Sequence, residues 1–207
     1  TFMTSVGIPA KLVTFLNGIT STIYSTISYA GVQILIFLAG FTASNKLFGV
    51  LEIAGSSYGF ALVSYVGQNL GAQRLDRIKK GVNQGSLIAI ATSVLIGAAM
   101  LVFGPWFISC FISGSPEQVA QSSVVAYEYL AAMSIALPSL YLLHAYRSSL
   151  QGLGDTVVPM ISGILELFIR TSLVFLLPRL MGPRGIYVAE VSAWIGAAIM
   201  LSICYYI

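Results

Sequence analysis

Only 8% of the 207 residues are charged and 57% are hydrophobic, with a mean hydropathy of +0.89. A soluble domain carries about 25% charged residues, so this composition excludes one and points to a polytopic membrane protein. The net charge of +3 is confined to short polar stretches, which argues for membrane orientation and against nucleic-acid binding. Cys110 and Cys204 stand far apart in apolar surroundings, so neither a disulfide framework nor a zinc site is expected. Thr1 replaces an initiator Met and the chain stops within an apolar run, so the sequence is expected to be a piece of a longer polypeptide.

The hydropathy pattern predicts six helices, at 8–31, 33–67, 80–104, 117–147, 157–177 and 185–206, forming a single lobe over residues 1–207. Lipid supplies no partner for a free backbone N–H or C=O, and the long runs lack strict alternation, so the fold class is an all-α membrane bundle. The first helix opens after Gly7 and Pro9, and Gly31 is expected to turn the chain into the second. Along the first helix Thr14, Asn17, Ser21, Ser25 and Ser28 recur every three or four residues and share a face. That stripe either packs against another helix or lines a water-filled cavity. The second helix carries Thr42 to Lys46, then Glu52, with Asn45 and Lys46 as further cavity candidates. Snorkelling of Lys46 to the surface is the alternative.

Between the second and third helices lies Ser64–Gly81, the densest charge in the chain, with Arg74, Asp76, Arg77, Lys79 and Lys80 within seven residues. Gly104-Pro105 is expected to close the third helix, and Ser115 to cap the fourth ahead of Pro116. Pro138 predicts a kink inside the fourth helix, Glu128 is placed at the outer interface as a solvated residue, and His144 reads as a hydrogen-bonded or interfacial histidine rather than a proton carrier. In the last two helices Glu166 and Arg170 are an (i, i+4) pair, and Glu190 falls at a similar depth. These three are expected to form a buried cluster that is either a structural ion pair or an ion-coupling site. One set of helix ends collects Lys11, Arg74, Arg77, Lys79, Lys80 and Arg147 against only Arg179 and Arg184 on the other. By the positive-inside rule both termini and the Gln68–Lys80 loop then face the cytoplasm. No Walker glycine loop, HExxH, GxSxG or Cys/His ligand set occurs, so no catalytic residues, metal or organic cofactor are assigned.

Gly67-Gln68-Asn69-Leu70-Gly71-Ala72, followed by Arg77-Ile78-Lys79-Lys80-Gly81, resembles the multidrug and toxic compound extrusion (MATE) family. The likeness extends to Gly7-Ile8-Pro9, to Phe111–Glu117, to Tyr146–Asp155 with Pro159, and to Glu166 with Arg170, Gly185 and Ala193-Trp194. Each motif is weak alone, but their order and spacing span nearly the whole chain. The resemblance implies one six-helix lobe, the carboxy-terminal one, of a twelve-helix exporter. Its second lobe would lie in the same chain or in a homodimer partner. It also implies Na⁺- or H⁺-coupled export of organic, often cationic, compounds across the cytoplasmic membrane. The chain departs from the family where a coupling acid is expected. The first helix offers only Asn17, the middle of the fourth offers no acid, and Val191 follows Glu190 in place of the usual proline. A lipid-linked oligosaccharide flippase of related fold, or a half-size membrane subunit or scaffold, are the rival readings.

Overall fold

The computed structural model describes the backbone of residues 10–207 and the side chains of residues 21–207. Among these the chain is helical, in the order α1 (Ala10–Gly71), α2 (Leu75–Ser109), α3 (Pro116–Gly152), α4 (Val157–Met181) and α5 (Arg184–Tyr206). All five are long and apolar enough to cross a membrane. The chain is a multi-pass helical membrane protein.

The six-helix expectation fails at one place. The stretches expected to form the first two helices run together through Gly31 as the 62-residue α1. One helical glycine costs only about 1 kcal/mol relative to alanine, and no proline or capping side chain reinforces it here. At 1.5 Å per residue α1 is on the order of 90 Å long, about three times a bilayer core. Its side chains from 21 to 32 are all exposed, and packing begins near Ile36.

From there α1 lies against α3, and small residues set the approach. A Cβ on Gly55 would come within 2.9 Å of the Tyr141 ring, and one on Gly59 within 2.6 Å of Ser148 Oγ. Hydroxyls fasten the same seam, since Ser44 Oγ donates to Ala126 O at 2.6 Å and Tyr141 OH to Leu51 O at 2.9 Å. Small residues and interhelical hydrogen bonds are what hold helices together where lipid offers no hydrophobic drive. α3 is the central element. Tyr129, Leu130, Met133, Leu137 and Tyr141 are almost wholly buried within the main core, which also takes Leu47 and Leu51 of α1 and Trp194 and Leu201 of α5.

Helix ends differ from the expectation where a neighbour supplies the missing bond. α2 continues through Gly104-Pro105 to Ser109. Pro105 has no N–H for the Leu101 carbonyl one turn back, and Tyr127 OH of α3 donates to that oxygen at 3.0 Å. α3 likewise runs uninterrupted through Pro138. The Ser134 carbonyl, which Pro138 leaves without its helical donor, faces Gly97 of α2, where a Cβ would sit 2.7 Å away. Ser115 caps α3 as expected, accepting from Gln118 N at 3.4 Å. Asp155 Oδ1 accepts from Val157 N at 2.9 Å and Val158 N at 3.2 Å, tying down the start of α4. α4 also passes Pro178 before ending at Gly182, whose φ of 65° suits only a glycine comfortably.

Candidate functional site

α1, α3, α4 and α5 line a half-open polar cavity of about 380 Å³. Each element supplies charge to it: Glu52 from α1, His144 and Arg147 from α3, Glu166 and Arg170 from α4, and Glu190 from α5. Asn45, Phe48 and Trp194 complete much of its wall, the last two as rings stacked at 5.3 Å. Such a group of charges among spanning helices is costly unless paired or wetted by a cavity.

Pairing is uneven. Glu166 lies between two guanidiniums: Arg147 Nη2 donates to its Oε2 at 3.0 Å and Arg170 Nη2 to its Oε1 at 3.1 Å. Arg147 Nη2 also donates to Ser162 Oγ at 3.2 Å, so one arginine of α3 holds two positions of α4. Arg170 continues to Glu190 Oε1 at 3.6 Å, linking α4 to α5. The predicted trio of Glu166, Arg170 and Glu190 is therefore one connected network. Glu52 has no guanidinium within ion-pair range; its Oε1 lies 4.0 Å from His144 Nε2. That nitrogen is buried and makes no hydrogen bond, and the same holds for Nε of Arg147 and of Arg170.

The other sequence candidates divide. Asn45 lines this cavity, and its Oδ1 accepts from Tyr129 OH at 3.5 Å. Lys46, one residue on, points instead into a separate cleft with Thr42, Leu38 and the Phe111–Ser113 turn. Ser21 and Ser25 sit on the exposed part of α1, and Ser25 Oγ donates to Thr22 O at 2.9 Å. Neither lines the charged cavity. The side chain of Asn17 lies outside the described residues. Glu128, expected to be solvated, is joined by Arg184 through its Nε at 3.0 Å and also through its Nη2, bracing α3 to α5.

Sequence reasoning missed Arg147, His144 and Glu52. Arg147 is treated there as a loop-side topology charge, whereas it turns inward to Glu166. Glu52 stands seven residues after Asn45 and four after Phe48, a spacing that puts all three on one helical face. That periodicity was the available signal.

A MatE family model matches residues 11–176. The chain belongs to this family. Its members are transporters and not enzymes, and the match covers α1 to α3 and most of α4, including every charged cavity residue except Glu190. No curated protein and no solved structure matches the chain. Among the described residues no three His, Cys, Asp or Glu side chains are grouped to hold a metal ion.

Proposed function

We propose that this MatE chain forms one lobe of a secondary transporter that exports organic, often cationic, compounds in exchange for Na⁺ or H⁺. The observation that carries the reading is the cavity itself: six ionisable side chains gathered within a bundle of apolar helices. Placing them there is expensive, and water-lined ion or substrate pathways are where such residues occur. Glu166 and Glu190, with Arg170, are the acidic network through which ion binding would alter the packing of α4 against α3 and α5. Asn45 belongs to the substrate-facing wall, and Asn17, Ser21, Ser25 and Lys46 would contribute once the second lobe is in place.

The second lobe lies in the same polypeptide or is a second copy of this chain. Arg74, Arg77, Lys79 and Lys80 gather at the α1–α2 junction, and by the positive-inside rule this supports reading that end of the bundle, Gln68 to Lys80, as cytoplasmic at the cell membrane.

The test uses the native gene product reconstituted in liposomes, with ethidium or tetraphenylphosphonium as probe and an imposed Na⁺ or proton gradient. Gradient-dependent movement of the probe is the expected result. Gradient-independent scrambling of a fluorescent lipid would instead favour the flippase, and no movement of either would leave the scaffold reading.

A further inference from the structure

The basic end of α2 continues into a helix face that the rest of the bundle leaves open. α2 turns Ile78, Val82, Ala89 and Ser93 inward. Arg77, Lys80, Gln84, Leu87, Ile88 and Ala91 recur every three or four residues on the opposite face, and all six are exposed. The row changes character along its length, from two cations through an amide to apolar side chains. At 1.5 Å per residue it runs about 17 Å beyond Lys80, close to the ~15 Å of hydrocarbon in one leaflet.

No carboxylate answers the cations at its head. Among the described residues no ion pair engages Arg74, Arg77, Lys79 or Lys80. Asp76 is the only acid from Ser64 to Gly81, so four cations against one carboxylate leave this junction at +3. Asp155, at the same end of the bundle, is turned to the N–H groups that open α4. The backbone beneath the cations is braced. Tyr65 OH of α1 donates to Arg77 O at 3.0 Å, and Gly81 lacks the Cβ that would run into the Tyr65 ring. The link over 72–74 is tied back by Gln73 N donating to Leu70 O at 2.9 Å and Arg74 N to Asn69 O at 2.8 Å. Arg77 and Lys80 therefore project from a fixed corner, not from a loose loop.

We propose that this face of α2 holds one anionic phospholipid of the cytoplasmic leaflet. Its phosphate sits between Arg77 and Lys80, its glycerol esters lie at Gln84, and an acyl chain runs along Leu87, Ile88 and Ala91. The inference goes beyond the transporter reading and stands without it, since it needs only a spanning α2 with its basic end at the anionic surface. Charge complementarity selects the occupant. Anionic lipids give the cytoplasmic leaflet its negative potential, and each Lys or Arg near that surface adds to the attraction. An arginine fork spans two phosphate oxygens, and a lysine adds a point charge beside it. A zwitterionic lipid would bring its own ammonium against these two cations, and a soluble anion would leave the apolar part of the row unused.

The experiment is native mass spectrometry of the native gene product, delipidated in neutral detergent and titrated with dioleoylphosphatidylglycerol or dioleoylphosphatidylcholine. The wild type should hold one phosphatidylglycerol on the order of tenfold more tightly than phosphatidylcholine. Arg77→Gln and Lys80→Gln should each weaken that adduct on the order of fivefold and leave phosphatidylcholine binding unchanged. Arg77→Lys keeps the charge and should stay within about threefold of wild type. Lys79→Gln lies about 100° round the helix from Lys80 and should change the affinity by less than about twofold. Soluble glycerophosphate should not displace the lipid. Equal affinity for the two lipids, displacement by glycerophosphate, or a Lys79→Gln as damaging as Lys80→Gln would overturn the proposal, the last by reducing the row to diffuse topology charge. A lipid-free dimer that Arg77→Gln disperses would give the face to a second copy and overturn it as well. Absence of probe export from liposomes, with the lipid result intact, would count against the transporter reading alone.

Discussion

The Arg147–Glu166–Arg170 fork invites the sharpest stability test, because Glu166→Gln changes its charge and almost nothing of its shape. The substitution keeps one carbonyl oxygen as an acceptor, so one ion-paired bond weakens to a guanidinium–amide bond and the other is lost. Its worth is about 1.5–3 kcal/mol for a hydrogen bond to a charged group. To this is added the stranding of Arg147, whose side chain is only 26% exposed. Removing one partner of a fully buried pair costs about 3–5 kcal/mol. Partial exposure of Arg147 and the 40% exposure of Arg170 discount that figure, giving about 2–4 kcal/mol for the substitution. In a chain of this size about 2–4 °C is lost per kcal/mol, so the apparent Tm should fall by roughly 4–16 °C. The assay is thermal unfolding in detergent at one fixed scan rate, since such unfolding is commonly irreversible. Arg147→Gln should then cost less in the Glu166→Gln background than in the wild type, with a coupling energy of about 1–3 kcal/mol. A Tm within 1 °C of wild type for Glu166→Gln, or additive single substitutions, would refute the claim that the fork joins α3 to α4.

Other consequences concern the helices themselves. Tyr127→Phe should orphan the Leu101 carbonyl beside Pro105 and cost about 1–3 kcal/mol, and Pro105→Ala should recover much of it by restoring the helical N–H; thermal unfolding of both and of the double variant decides this. Gly97→Ala should force α2 away from the Ser134 carbonyl, lowering stability by about 1–3 kcal/mol in the same assay, whereas Gly163→Ala, where a Cβ meets nothing within 4 Å, should be neutral or better. Spin labels at Ser21 and Thr42 measure the continuity of α1. An unbroken helix puts their Cα atoms about 32 Å apart, while a hairpin at Gly31 would bring them within about 10 Å.

Much of this arrangement was legible without coordinates, and the exceptions share a cause. Membrane spans announce themselves through composition, because lipid enforces helices wherever apolar runs are long enough. Ser115 and the (i, i+4) pair of Glu166 and Arg170 were visible for the same reason: each obeys a rule local to a few residues. Pro105 and Gly31 misled because breakers act through the backbone bonds they remove. Whether a helix survives depends on a distant donor such as Tyr127, or on a cost too small to stop the chain. Arg147 misled because a charge near a helix end reads as topology until its partner is known, and Glu166 lies on another helix. Glu52 and His144 meet across 92 positions of sequence, a juxtaposition no local pattern encodes.

The charge fork also bears on how the chain enters the bilayer during synthesis. Each ionised residue at the centre of a spanning segment costs about 2.5–3.5 kcal/mol on insertion. α4 emerges with Glu166 and Arg170 already one turn apart, so it brings its own counterion and can partition on leaving the translocon. α5 has no such partner for Glu190 within its own length; its neutralising charge is on α4. The two segments are separated only by Gly182 and Pro183, too short a link for either to settle first and wait. They should therefore integrate as one hairpin. α5 presented to the translocon without α4 ahead of it should insert less well than the natural pair, and Glu190→Gln should recover much of the difference.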